Sequence, residues 1–408
     1  MDDTFILTQF SPLGLTVERI GPFQDRLEHF SFKGKSGEPC NYFLLLSRNG
    51  RGKTHILESM AALMGLLGQT PERAPAPFTF EPLARGEGRA QLDFLITYSN
   101  EGVRRTEVFS IFGGYATEEI WLNHWTEDKL LEVNATAWRR LGAMRKGAAD
   151  YRWASLDDWT REFVVWIAET VGENVERFGG SSLTAPTLIY FPAYRDIVAL
   201  PEGERRAIEA PQDWNYRPLH IFRQEGKQWR ESLDNLLVWL MWLDDGRYQA
   251  ALEMVNEFVF SETDKTLIGI PNRNELVAKI AYADPSKTHR LDQLSSGEKS
   301  LMQIFLRMGA HMTKNTILII DEVDAHLHPQ WRSKIALRLK NMLQLDEGLT
   351  VFLASHADEI IESLSIEVEE PGLIKGGELL MTLDEEAEAS SRMADAKFVN
   401  DGFYKDEV

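Results

Sequence analysis

One cysteine in 408 residues excludes a disulfide framework and leaves Cys40 as a packing residue. No run of about 18 apolar residues occurs, which excludes a membrane-spanning helix of ordinary length. The start, Met1-Asp2-Asp3, lacks the basic segment of a secretory leader, so the expected location is the cytoplasm, away from membranes. Positive charge is scarce: 44 Lys and Arg stand against 63 Asp and Glu, a net charge of −19. Residues 357–408 hold 15 acidic and 4 basic side chains, a net of −11, which leaves −8 for the first 356 residues. A protein that wraps a duplex advertises a basic surface, so net charge does not point to nucleic acid, and any such contact would be local. Sustained heptads are missing, which excludes a long coiled coil, and no tandem repeat occurs. Apolar and aromatic residues, at 43% and 10%, are plentiful enough to exclude general disorder. They can fill one large domain with an insertion, or two domains.

The stretch Thr316-Ile317-Leu318-Ile319-Ile320-Asp321-Glu322 organises the rest. Four apolar residues in a row mark a central strand covered on both faces, as in a parallel α/β sheet. Asp321 and Glu322 then lie at its carboxyl end, where such sheets bind ligands. Neighbouring side chains on a strand point opposite ways, so the two acids are expected to do different work: Asp321 to hold a Mg2+ shell, Glu322 to orient or deprotonate a water. Taken alone, the fragment fits a strand end with solvated acids equally well.

A second stretch sharpens the reading. Tyr42-Phe43-Leu44-Leu45-Leu46 runs into Ser47-Arg48-Asn49-Gly50-Arg51-Gly52-Lys53-Thr54, and Ile56, Leu57, Met60, Leu63, Met64 and Leu67 follow at helical spacing. Strand, glycine-bearing loop and helix in this order present backbone N–H groups and a helix N-terminus to phosphate. Asn49, Gly50 and Gly52 belong to the cradle, Lys53 would reach the β and γ phosphates, and Thr54 would ligate Mg2+. Ser47 stands where the pattern G-x-x-x-x-G-K-[ST] has its first glycine, which costs backbone freedom but removes no phosphate ligand. A third stretch, Leu294-Ser295-Ser296-Gly297-Glu298-Lys299-Ser300, opens a helix whose apolar face is Leu301, Ile304, Phe305 and Met308. Ser295 and Glu298 fit a capping box, and Gly297 in the first turn lets backbone and hydroxyl groups approach an anion.

Between these motifs, short apolar runs over 5–10, 15–20 and 27–32 predict strands, and 91–99 with 103–112 predict a hairpin around Asn100-Glu101-Gly102. From about 117 to 180 the pattern reads as helical. Ten of the eleven tryptophans lie between the loop at Lys53 and the Leu294 motif, as a core stripe or, less simply, a ligand surface. Arg139, Arg140, Arg145, Lys146 and Arg152 form the densest basic cluster, either a solvated face or a strip for nucleic acid or a partner. A strand over 187–191 ends near Arg195, which would reach the nucleotide. Helices are expected around 229–242 and 248–259.

The order of Lys53 in its loop, Leu294-Ser295-Ser296-Gly297-Glu298, Asp321-Glu322, and His356 after the strand over 350–355 resembles ABC-type ATPase heads. Together with Asp321-Glu322-Val323-Asp324-Ala325-His326-Leu327-His328-Pro329, it resembles the branch of OLD-family and SMC-like proteins. Compact members of that branch serve in bacterial anti-phage systems such as Septu, PARIS and some retrons. The resemblance implies a P-loop NTPase α/β head with an antiparallel β lobe and an inserted helical subdomain, using ATP and Mg2+. It divides the chain into 1–115 (phosphate loop and β lobe), 116–260 (a mostly helical insertion with a head strand near 187–191), 261–365 (signature, Walker B and switch) and an acidic segment over 366–408. It also implies roles for residues. Lys53, Glu322 and the switch residue His356 serve catalysis, and Ser295 and Gly297 contact the γ-phosphate held by another protomer. Val323-Asp324-Ala325 crosses the interface, and Thr54 with Asp321 holds the metal. His326 and His328 then belong to the turn before Pro329 rather than to a metal site. The implied partners are a second copy of the chain, in a dimer or higher homo-oligomer, and a protein effector, since about fifty residues after His356 are too few for the Toprim nuclease of OLD proteins. An SMC-like DNA-repair clamp is the alternative, and a scaffold that barely hydrolyses ATP is a third reading.

Overall fold

The computed structural model describes residues 5–34, 38–46, 50, 52–116, 119–147, 150–172, 183–201, 203–284, 287–355, 357 and 359–360, and the backbone of 378–381. Fifteen strands fall in three sheets among the described residues. The first sheet contains β1 (Ile6–Ile20), β2 (Phe23–Ser31), β4 (Arg89–Asn100), β5 (Val103–Tyr115), β6 (Trp138–Arg145) and β7 (Tyr151–Leu156), in the order β2-β1-β4-β5-β6-β7. The second contains β3 (Tyr42–Leu46), β8 (Pro186–Phe191), β9 (Leu219–Ile221), β13 (Asn315–Ile320), β14 (Thr350–Ser355) and β15 (Glu378–Met381). It is parallel throughout, in the order β15-β3-β14-β13-β8-β9. A small sheet joins β10 (Thr266–Gly269), β11 (Lys279–Ala281) and β12 (Thr288–Arg290). The helices are α1 (Lys53–Met64), α2 (Glu81–Ala84), α3 (Glu127–Glu132), α4 (Asp158–Gly172), α5 (Leu233–Leu243), α6 (Arg247–Val255), α7 (Ser296–His311) and α8 (Pro329–Leu345).

The central strands explain why the parallel sheet is covered on both faces. Ile317 and Ile319 of β13, Phe43 and Leu45 of β3, and Phe352 of β14 enter one hydrophobic cluster with Ile56, Leu57 and Met60 of α1. Their neighbours Leu318, Ile320, Tyr42, Leu44, Val351 and Leu353 enter the other, with Leu236 of α5, Ile304 and Phe305 of α7 and Leu339 of α8. A strand of period 2 with apolar residues at every position requires cover on both sides, and helices supply it.

Several local readings are refined. The turn signals at Pro12 and Gly14 do not break β1; they mark a register shift between Pro12 and Gly14, so the runs 5–10 and 15–20 form one bulged strand. Asn100-Glu101-Gly102 closes the hairpin with Glu101 and Gly102 both at positive φ, as a two-residue primed turn requires. The helical reading of 117–180 is corrected: β6 and β7 extend the first sheet, and among the described residues of that stretch only α3 and α4 are helical. Pairing of β6 along β5 overrides the mixed local pattern. The tryptophans there are mostly core. Trp159 and Trp166 stack against Phe163, and beyond that stretch Trp229 is buried and donates Nε1–H to the Ala207 carbonyl at 2.7 Å.

The basic cluster is largely consumed internally. Arg139 forks onto the buried Glu107 carboxylate at 2.7 and 3.0 Å, Arg145 is buried and donates to the Leu83 and Gly86 carbonyls, and Arg152 pairs with Asp150. Arg140 lies over the Trp138 ring.

On the far side of the parallel sheet, His220 of β9 and His311 of α7 are buried with ring centroids 4.5 Å apart, and none of their four ring nitrogens has a protein partner. Burial, with Arg217, Arg307 and Arg247 nearby, lowers His220 to about 3 and holds His311 well below its ordinary value. In the unfolded chain both titrate near 6.5, so the neutral rings contribute stability fully above that pH and lose it progressively as pH falls. Glu225, raised to about 8 by burial, works in the opposite direction, so the histidine contribution is isolated by difference. Relative to wild type, His220→Leu is expected to gain about 1.4 kcal/mol per pH unit below about pH 6.5. Denaturant unfolding at several pH values measures it, and parallel profiles for the two proteins would contradict the assignment.

Candidate functional site

The carboxyl ends of β3, β13, β14 and β8 meet at one edge of the parallel sheet, and the sequence motifs converge there. At the end of β3, Gly50 and Gly52 adopt φ of 80° and 100°. Gly52 caps α1 from the left-handed region, and a Cβ there would stand 2.8 Å from Pro22 Cγ and 2.9 Å from Phe23 Cε2, so no other residue fits without moving that loop. Lys53 follows as the first residue of α1 and is buried. Thr54 donates its hydroxyl to Asp321 Oδ2 at 2.8 Å, across 267 residues of sequence. Asn49 lies outside the described residues, as does His356.

Asp321 is buried, and burial raises its carboxyl above the ordinary value. The Thr54 hydroxyl, Arg195, the Glu322 backbone N–H and Lys53 oppose that rise. Two hard oxygen donors, the Thr54 hydroxyl and the Asp321 carboxylate, in hydrogen-bond contact beneath a lysine, fit a site for Mg2+.

Glu322 is exposed and has φ +46°, unusual for a residue with a Cβ. The expectation that strand alternation separates the two acids is therefore corrected: β13 ends at Ile320, and a left-handed turn parts them. The turn is held from three sides. The Asp321 N–H donates to the Phe191 carbonyl, the Val323 N–H to Ala354, and the Ala325 N–H to the Glu322 carbonyl.

Arg195, just past β8, completes the support and does not act as a free nucleotide contact. Its buried guanidinium donates to the Asp321 carbonyl at 2.7 Å, the Glu322 carbonyl at 2.9 Å, the Pro192 carbonyl at 2.8 Å and Ser300 Oγ of α7 at 3.1 Å. Burial lowers Arg195 to about 10, so it stays charged at neutral pH. Sequence reasoning missed this brace, and it also missed the bond from Ser355 Oγ at the end of β14 to Asp324 Oδ1 at 2.6 Å. Only the position of Arg195 immediately after a buried strand hinted at the first.

Ser295 caps α7 as the sequence predicts: its Oγ accepts from the Glu298 N–H, while Glu298 Oε2 accepts from the Ser295 N–H and hydroxyl. Lys265 holds the other Glu298 oxygen at 2.6 Å. A Cβ at Gly297 would come within 3.1 Å of the His326 carbonyl, so the glycine lets α7 sit on the turn that follows Glu322.

The parallel sheet, the strand–turn–helix unit at Lys53 and the acidic strand end at Asp321 together make an α/β fold of the P-loop NTPase kind. Residues 199–362 match the family model described as AAA domain, putative AbiEii toxin, Type IV TA system. A stretch of 79 residues is 29% identical to the Septu protein PtuA of Bacillus mycoides (strain KBAB4), covering 18% of this chain and only 11% of that protein. Among solved structures, the chain is similar to an SMC head bound to the C-winged helix domain of ScpA, at 11% identity over 86% of this chain and 91% of that one, with a TM-score of 0.40. It is also similar to the SMC head domain from Thermotoga maritima, at 13% identity over 87% and 92%, with a TM-score of 0.35. No described helix is long and apolar enough to cross a membrane.

Proposed function

We propose that this chain binds and hydrolyses ATP as a molecular switch, pairs with a second copy through composite nucleotide sites, and controls a partner effector in bacterial anti-phage defence. The observation that carries the reading is the Thr54–Asp321 contact, with Lys53 buried beside it and Glu322 turned out into the open. Lys53 neutralises the β and γ phosphates, and the N–H groups at the start of α1 face them. Bound Mg2+, held by Thr54 and Asp321, would offset phosphate charge. The Glu322 carboxylate accepts a proton from the attacking water. Ser295 and Gly297 act on the nucleotide of the other protomer, and Asp324, tied to Ser355, links that interface to the end of β14. The defence context is supported by the short Septu stretch and the description of the matching family model. The internal pairing of the basic cluster favours a protein effector over a DNA clamp.

Composite sites predict complementation. Lys53→Ala and Ser295→Arg should each be inactive alone. Mixed in equal amounts, they should recover roughly one quarter of wild-type ATPase activity, because half the dimers are mixed and each keeps one working site. Full activity in either single variant would rule out the composite arrangement.

A further inference from the structure

A cavity of about 360 Å³ opens at the carboxyl end of β9, and its described lining includes no residue of the phosphate loop or of the Asp321 turn. Its walls come from the segments around 211–213 and 221–226, the turn at 230–232, Thr79 and the α7 residue Arg307. Its size falls in the range of roughly 300–1,000 Å³ typical of small-molecule sites. Three guanidinium groups, those of Arg223, Arg230 and Arg307, face it. Arg307 lies over the Phe222 ring at 4.3 Å, and its Nε is buried without a protein hydrogen-bond partner. A buried guanidinium donor left unmatched is costly unless something in the cavity accepts from it.

Two of the three acidic groups of the wall also have partners elsewhere. Asp213 is already paired with Arg217 at 2.9 Å, and Glu225 is turned inward to accept the Leu233 N–H at 2.7 Å. Burial raises Glu225 to about 8, with Arg307 opposing that rise, and Glu231 is the remaining carboxylate of the wall. Arg230 pairs loosely with Glu209 at 3.8 Å and donates to the Ala210 carbonyl at 3.4 Å.

We propose that this cavity is a binding site for a small molecule bearing phosphate, held by Arg307 from below and by Arg223 and Arg230 at the rim. Guanidinium groups match phosphate oxygens in geometry as well as charge, which favours this ligand class over a neutral one. The site is separate from the nucleotide site and does not depend on the reading given for it. The two are physically joined, however. Arg307 lies on α7, the helix that Ser295 caps and that Arg195 grips through Ser300, and Arg223 is close enough to Glu58 of α1 to influence its charge.

Calorimetric titration of full-length Lys53→Ala protein with pyrophosphate tests the proposal, because that background weakens the phosphate loop as a competing anion site. Binding should persist there, and adding Arg307→Met or Arg223→Gln should each weaken it at least tenfold. Arg223 is exposed and its replacement does not disturb the core, so that variant decides the question if Arg307→Met fails to fold. Loss of all pyrophosphate binding in Lys53→Ala, or affinity unaltered by the arginine substitutions, overturns the proposal. Displacement of pyrophosphate by a poly-glutamate peptide that binds more tightly also overturns it, and assigns the cavity to an acidic segment of a partner instead.

Discussion

Glu322→Gln is expected to lower ATP turnover by about 10²–10⁴-fold while leaving ATP binding intact. The turn that places Glu322 is held without the Glu322 side chain: its carbonyl accepts from the Arg195 guanidinium and from the Ala325 N–H, and Asp321 and Val323 are fixed by neighbouring strands. Glutamine keeps the size of the side chain and the backbone bonds, and removes only the ability to take a proton. Thr54, Lys53 and Asp321, the residues proposed to hold the nucleotide, are left unchanged. The variant should therefore accumulate in the ATP-bound closed state, seen as a nucleotide-dependent dimer by light scattering. Co-purified from its native operon in ATP, the same variant should retain a second polypeptide that Lys53→Ala does not. Wild-type turnover in Glu322→Gln would remove this residue from the chemistry.

Arg195→Met should be nearly as damaging, by a different route. The substitution removes a charged donor from the carbonyl oxygens of Pro192, Asp321 and Glu322 and from the Ser300 hydroxyl, and leaves the Glu322 carbonyl with the Ala325 N–H alone. A loss of stability on the order of 3 kcal/mol follows, since hydrogen bonds from a charged donor are involved and the site is buried. The left-handed turn at Glu322 loses its brace, and a catalytic group displaced by even ~1 Å can cost about 10²-fold in rate. Arg195→Lys should rescue little, because one ammonium cannot fork to the same set of acceptors. Denaturant unfolding and kcat together measure the effect. Normal stability with normal kcat in Arg195→Met would show that the turn holds itself.

The candidate site was legible in the chain to an unequal degree, and the division follows the range of the physics involved. The loop before Lys53, the capping box at Ser295 and Glu298, and the buried strand before Asp321 are written in contiguous residues. Glycine conformational freedom, helix capping and strand burial act within a few positions, and the structure shows the positive φ at Gly50 and Gly52, the cap at Ser295 and the buried strand where the sequence places them. The misreadings also have local causes. Pro12 and Gly14 carry the same signal whether they end a strand or bulge it, and the stretch around Trp138 and Trp153 has residues that suit either a helix or an edge of a sheet. In both cases pairing with a strand far away in sequence decided the outcome.

The sequence by itself determined that a glycine-bearing turn from strand to helix, a capped glycine-bearing helix and an acidic strand end exist, in that order, because each is fixed by neighbours along the chain. Tertiary structure alone decided that Thr54 meets Asp321, that Arg195 braces the turn of Glu322 against α7, that Ser355 anchors Asp324, and that three arginines line a cavity beside β9. These contacts join residues brought together by the order and register of the parallel strands, and neither partner of such a pair carries a local mark of the other.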